Sequence, residues 1–167
     1  ALGLKRRDED YFPLLGGNHV LGGNPLVSIL FNEVRAKRGL SYSVYSYFLP
    51  LAEAGPFLIS LQTSGPQKDE AISTVKSALK KFLSDGPSEE ELISAKKNLI
   101  GGFPLRLDSN KKLVNYASMI GFYDLPLDYL DQFPKKIAEV TMEDVIDAFR
   151  RRVKLQKLMI VTVGPSS

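Results

Sequence analysis

The period of the apolar residues changes several times along the chain, and each change marks an element boundary. Phe12, Leu15, His19 and Val20 recur at helical spacing between Asp10 and Leu21, and the run stops at Gly22-Gly23. Asn24 then reads as an N-cap with Pro25 at the first helical position, where a missing N–H costs nothing. Leu26, Ile29, Leu30 and Val34 form the stripe of that helix, and Gly39 supplies the left-handed residue that ends it. From Leu40 to Phe48 the period falls to two. This predicts a strand with Leu40, Tyr42 and Val44 on one face and Ser41, Ser43 and Tyr45 on the other. Gly55-Pro56 introduces a second strand-favouring run, Phe57 to Thr63, and the short connection predicts an antiparallel pair.

Helical spacing returns after Pro66, with Ile72, Val75, Leu79 and Phe82 on one side and a stop at Gly86-Pro87. Ser88 and Glu91 have the spacing of a capping box for a helix reaching Gly101-Gly102. Leu113, Tyr116, Ala117 and Ile120 mark another helix, broken at Leu125-Pro126. A short helix through Tyr129, Leu130 and Phe133 follows, expected to be disturbed at Pro134. Thr141 and Asp144 repeat the capping pattern ahead of Val145 to Val153. The final apolar run, Leu158 to Val163, predicts a central strand. This order predicts an α+β fold, a mostly antiparallel sheet with helices packed on one face. The chain opens on Ala1-Leu2-Gly3-Leu4 without an initiating methionine. It reads as an excised piece of a longer protein, whose upstream segment would add a strand ending at Leu2–Leu4.

At 167 residues the expected organisation is a single domain, 1–167. A chain of this length buries about 70% of the surface it exposes when unfolded. The absence of cysteine removes disulfides, thiolate zinc sites and cysteine nucleophiles. Net charge is +3, with basic and acidic residues interleaved. Lys5-Arg6-Arg7 is answered at once by Asp8, Glu9 and Asp10, and Arg150-Arg151-Arg152 closes a helix whose carbonyl end favours cations. These runs are therefore read as solvated faces rather than as a nucleic-acid or membrane surface. No apolar run approaches the roughly 20 residues of a membrane span, and no signal peptide is visible.

Few residues offer chemistry. His19 is the only histidine and has no carboxylate or second histidine one turn away, which points to a structural role. No serine stands in a Gly-x-Ser-x-Gly turn. Gly22-Gly23-Asn24-Pro25 reads as a tight interhelical turn, with an anion-binding helix N-terminus as the alternative. Glu89-Glu90-Glu91 favours a helix start. Arg35 and Tyr42 remain, set around a corner from helix to strand. A cation and a phenol suit the grip of a peptide carbonyl or an oxyanion, but neither activates water. Taken alone, the two residues fit a dipole-capping arginine and a core tyrosine better than a functional pair.

Leu21-Gly22-Gly23, the segment Arg35 to Leu40 and Tyr42-Ser43-Val44 resemble the carboxyl-terminal homologous domain of the pitrilysin/insulysin family. These are zinc metallopeptidases with an inverted His-x-x-Glu-His motif. The likeness includes Gly86 to Leu92 leading into Ala95-Lys96, Thr141, and Leu158 to Pro165 as a closing strand. Gly101 to Leu105 and Ile120 to Tyr123 resemble a bacterial processing-peptidase-like subgroup with separate zinc-bearing and arginine/tyrosine-bearing subunits. The resemblance implies the carboxyl-terminal half of a longer peptidase-like polypeptide, whose Arg35 and Tyr42 bind peptide substrate. It implies no catalytic or metal residue in this chain, since His-x-x-Glu-His is absent. Zinc is then expected in a homologous partner domain or subunit, and activity only from the assembly. The compartment stays open, with the bacterial periplasm suggested by the family. Two alternatives remain: a silent scaffold of the same fold, and a small nucleic-acid module stacking bases on Tyr45, Tyr47 and Phe48.

Overall fold

A computed structural model describes residues 3–164. Among the described residues six α-helices and two strands follow in order: α1 (Tyr11–Asn18), β1 (Val44–Phe48), β2 (Phe57–Leu61), α2 (Lys68–Asp85), α3 (Glu89–Gly101), α4 (Asn110–Phe122), α5 (Tyr129–Glu139) and α6 (Met142–Arg152). β1 and β2 pair antiparallel, with Val44 opposite Leu61 and Phe48 opposite Phe57. The fold is the expected α+β, with helices on one face of the pair.

Alternation along the strands decides which face is covered. Val44 and Ser46 of β1 and Phe57 of β2 are buried, whereas Tyr45, Tyr47 and Leu58 are exposed. Phe149 of α6 centres the covered side, edge-on to Phe48, Phe57 and Phe82 at ring separations of 5.6, 6.4 and 4.9 Å. A second core lies among α3, α4 and α5, where Phe103 and Phe133 stack at 4.3 Å beside Leu99, Ile120 and Ile137. Helix α1 reaches α3, α5, α6 and β1, joining the two cores. Its close approach depends on Gly17, where an added Cβ would lie 2.6 Å from the Phe149 ring.

Local signals set several boundaries. Both capping boxes form, Ser88 with Glu91 at the start of α3 and Thr141 with Asp144 at the start of α6. Gly86 ends α2 at φ 74°. Asp10 is 3% exposed and accepts hydrogen bonds from Arg151 (2.6 Å) and Arg152 (2.7 Å), while Arg152 also reaches Asp8. The basic run at the end of α6 thus ties down the acidic start of the chain.

Four expectations are corrected. Leu158 to Val163 forms no strand among the described residues; Met159 is 86% and Val163 97% exposed, and only Leu158 packs against the core. An apolar run becomes a strand only where another strand satisfies its backbone, and no described strand pairs with it. Helix α5 runs through Pro134, because one lost N–H bond is outweighed by burying Phe133 and Ile137 on the same side. The stretch after Gly23 begins as turns. Asn24 Oδ1 accepts from the Leu26 N–H, leaving Leu26 and Val27 exposed ahead of Leu30 and Val34. Tyr42 does not share the buried face of Leu40 and Val44. At the other end, Leu4 is buried and Lys5 forms an isolated bridge with Leu51; Leu2 and Pro165 lie outside the described residues.

Candidate functional site

Residues 31–36 form a wide turn of π type, in which the Lys37 N–H reaches the Asn32 carbonyl at 3.0 Å. Gly39, at φ 61°, closes it: its N–H donates to the Arg35 carbonyl and the Leu40 N–H to the Val34 carbonyl, both at 2.9 Å. Leu40 is thereby returned to the core and the chain turns toward β1. The next residues are fastened to the end of β2. Ser41 Oγ lies 2.6 Å from the carbonyls of Ser43 and of Gln62, sharing its one proton between them, and Thr63 Oγ1 donates to the Leu40 carbonyl. A bend at Tyr42 interrupts the alternation, and its side chain stands 82% exposed.

This corner brings Arg35 and Tyr42 together. The Arg35 guanidinium carbon lies 4.8 Å from the Tyr42 ring centre and 5.1 Å from that of Phe31. Phe31 was not singled out from the sequence, although its position four residues before Arg35 on one helical turn is a readable signal. Contact with two aromatic rings fixes the cation, contributing about 0.5–1 kcal/mol at an exposed position. Guanidinium N–H donors lie in the plane of the group, so stacking leaves them available.

Neighbouring charges leave Arg35 unclaimed. Glu33 accepts from Lys37 (2.5 Å) and Arg38 (2.8 Å), and these bonds hold its carboxyl below the usual range. Among the described residues Arg35 has no carboxylate partner, and the Tyr42 hydroxyl makes no hydrogen bond. A cation and a phenol donor are therefore presented together to solvent.

The other candidates resolve as structural. His19 is partly buried in a π-type turn, His19–Gly23, with its Nε2 3.3 Å from the Asn24 amide nitrogen. Burial pushes its pKa down, and the nearby Arg106 charge pushes in the same direction. Among the described residues no three His, Cys, Asp or Glu side chains converge as metal ligands. A single imidazole beside an amide and an arginine does not fit zinc. Gly22 is required by packing: a Cβ there would meet the Ser46 backbone nitrogen at 2.9 Å and Leu30 at 2.8 Å. Gly22 and Gly23 end that π-type turn, and the Asn24 oxygen already caps the turn that follows. No described helix is long and apolar enough to cross a membrane.

Comparison with known proteins places this geometry. Residues 2–99 match the peptidase M16 inactive domain. A peptidase M16 inactive domain from Pseudomonas fluorescens, known from its crystal structure, superposes with a TM-score of 0.88 at 38% identity, covering 93% of this chain and 37% of that one. The chain is 30% identical to a protein of Bacillus subtilis named an uncharacterized zinc protease, YmxG, over 98% of its own length and 40% of the relative's. It is 29% identical to a Helicobacter pylori protein named a non-peptidase homolog, over 87% of its own length and 33% of the relative's. The chain thus spans a third to two fifths of the curated relatives' length. The match over residues 2–99, more than half of the chain, makes it a member of the peptidase M16 inactive-domain family, the non-zinc domain of pitrilysin-type zinc proteases.

Proposed function

We propose that this domain holds a peptide substrate with Arg35 and Tyr42, beside a zinc centre supplied by a homologous domain or subunit. The observation that carries the reading is the contact of the Arg35 guanidinium with the exposed Tyr42 ring. Arg35 donates from the guanidinium edge to a substrate carbonyl. Tyr42 donates its phenol proton to the carbonyl oxygen of the bond to be broken and to the charge that develops there. Neither group generates a nucleophile, so hydrolysis needs the partner. Among the described residues no set fits zinc, and the name of a relative, a zinc protease, supports a zinc centre elsewhere in the assembly.

Peptide binding measured by calorimetry tests this. Arg35→Ala is expected to weaken binding of an unstructured peptide at least tenfold, and unchanged affinity would remove Arg35 from the site. A second reading, a silent scaffold of the same fold, is favoured by the Helicobacter pylori relative's name of non-peptidase homolog. Under that reading no peptide binds, and Arg35→Ala changes nothing but the surface.

A further inference from the structure

The outward face of the strand pair carries Tyr45 and Tyr47 from β1 and Leu58 and Ser60 from β2, with Tyr45 opposite Ser60 and Tyr47 opposite Leu58. A sheet face turned to water ordinarily carries polar and charged side chains. Here Tyr45 and Tyr47 are 46% and 40% exposed, Leu58 is 37% exposed, and none of the four residues is charged. The two tyrosine rings stack at 6.0 Å with an interplanar angle of 21°, forming a short ladder that begins three residues after Tyr42. Alternate side chains of an extended peptide recur about every 6.6–6.8 Å, close to the spacing of the rings.

We propose that Tyr45 and Tyr47, flanked by Leu58, are specificity-determining residues that receive aromatic or large apolar side chains at alternate positions of an extended peptide. The proposal rests on the reading of Arg35 and Tyr42 as a peptide-holding pair, and Tyr42 lies two residues before the start of β1. Each ring offers a face or edge to an incoming aromatic side chain, and the phenol tips stay in water. A single-stranded nucleic acid also stacks on aromatic rings, but its phosphates need adjacent cations. The four side chains of this face supply none.

Fluorescence anisotropy on the protein with three labelled, unstructured decapeptides tests the assignment. They are identical except for two Phe at alternate positions, two Phe at consecutive positions, or Ser throughout. The alternate-Phe peptide is expected to bind about tenfold more tightly than the Ser peptide, with the consecutive-Phe peptide losing most of that gain. The Tyr45→Thr/Tyr47→Thr double variant, which keeps strand-favouring residues, should abolish the preference, so that this variant binds the three peptides alike. Tyr45→Phe/Tyr47→Phe should retain the preference. Arg35→Ala should weaken all three peptides alike. If it does not, yet the preference still requires the tyrosines, the Arg35 reading fails and this one stands. Equal affinity for the three peptides, or a preference surviving in the Thr variant, overturns the proposal. So does salt-dependent binding of oligouridylate that the Thr variant loses.

Discussion

The guanidinium of Arg35 lies 4.8 Å from the centre of the Tyr42 ring, so each side chain of the pair helps to orient the other. The contact involves the ring and not the hydroxyl, which allows the two contributions of the tyrosine to be separated. Under the proposed function, with a zinc-bearing partner present, Tyr42→Phe keeps the aromatic contact and removes only the phenol proton. Turnover should fall by about 10²–10³ with little change in KM. Tyr42→Ala should lower turnover as far and raise KM as well, because Arg35 loses a ring. Steady-state kinetics of the two variants distinguishes these effects, and near-wild-type turnover of Tyr42→Phe would exclude the hydroxyl.

Gly39 sets the turn that brings Arg35 and Tyr42 together. Nothing lies within 4 Å of an added Cβ there, so the cost of Gly39→Ala comes from its φ of 61° alone, about 1 kcal/mol. Denaturant midpoints should show that modest loss. Activity should drop more than stability, since the turn that sets Tyr42 against Arg35 relaxes.

Packing at Gly17 should tolerate less. Gly17→Ala pushes a methyl group against Val145 and Phe149 and is expected to cost about 1–3 kcal/mol. Phe149→Ala, which empties the junction of Phe48, Phe57 and Phe82, should cost about 3–5 kcal/mol. Chemical denaturation measures both.

Acid should destabilise the domain in two separate windows. His19 has its pKa lowered in the folded state, by burial first and Arg106 second. Its contribution is complete above the unfolded value of about 6.5 and is lost as pH falls below it. For Asp10, burial alone would raise the pKa. The hydrogen bonds from Arg151 and Arg152 overcome it and hold the carboxyl below its usual range. That stabilisation is complete above about pH 4 and is lost as pH falls through the depressed folded value. Denaturant midpoints against pH should show both steps, with His19→Gln removing the upper and Asp10→Asn the lower. Asp10→Asn should also cost about 2 kcal/mol at pH 7.

Much of the fold was legible because its signals are local. The Ser88–Glu91 and Thr141–Asp144 boxes, Gly86 and Gly39, and the antiparallel pairing of β1 with β2 depend on residues close in sequence, and each formed as expected. Arg35 and Tyr42 were legible as a pair for a similar reason, lying on either side of one glycine turn. Phe31 carries only a spacing signal, and that its ring faces Arg35 is visible in the structure alone. The Asp10 clasp was hidden because its partners, Arg151 and Arg152, are more than 140 positions away.

The sequence by itself determined the helices, the strand pair and the corner, since capping, period and left-handed glycine are properties of neighbouring residues. Only the tertiary structure decided which apolar residues are covered. Tyr42 left the alternating face through a bend fastened to β2, and Leu158 to Val163 stayed exposed despite its apolar character. Burial and strand pairing require a second surface, and where that surface lies is settled by the packing of the whole domain.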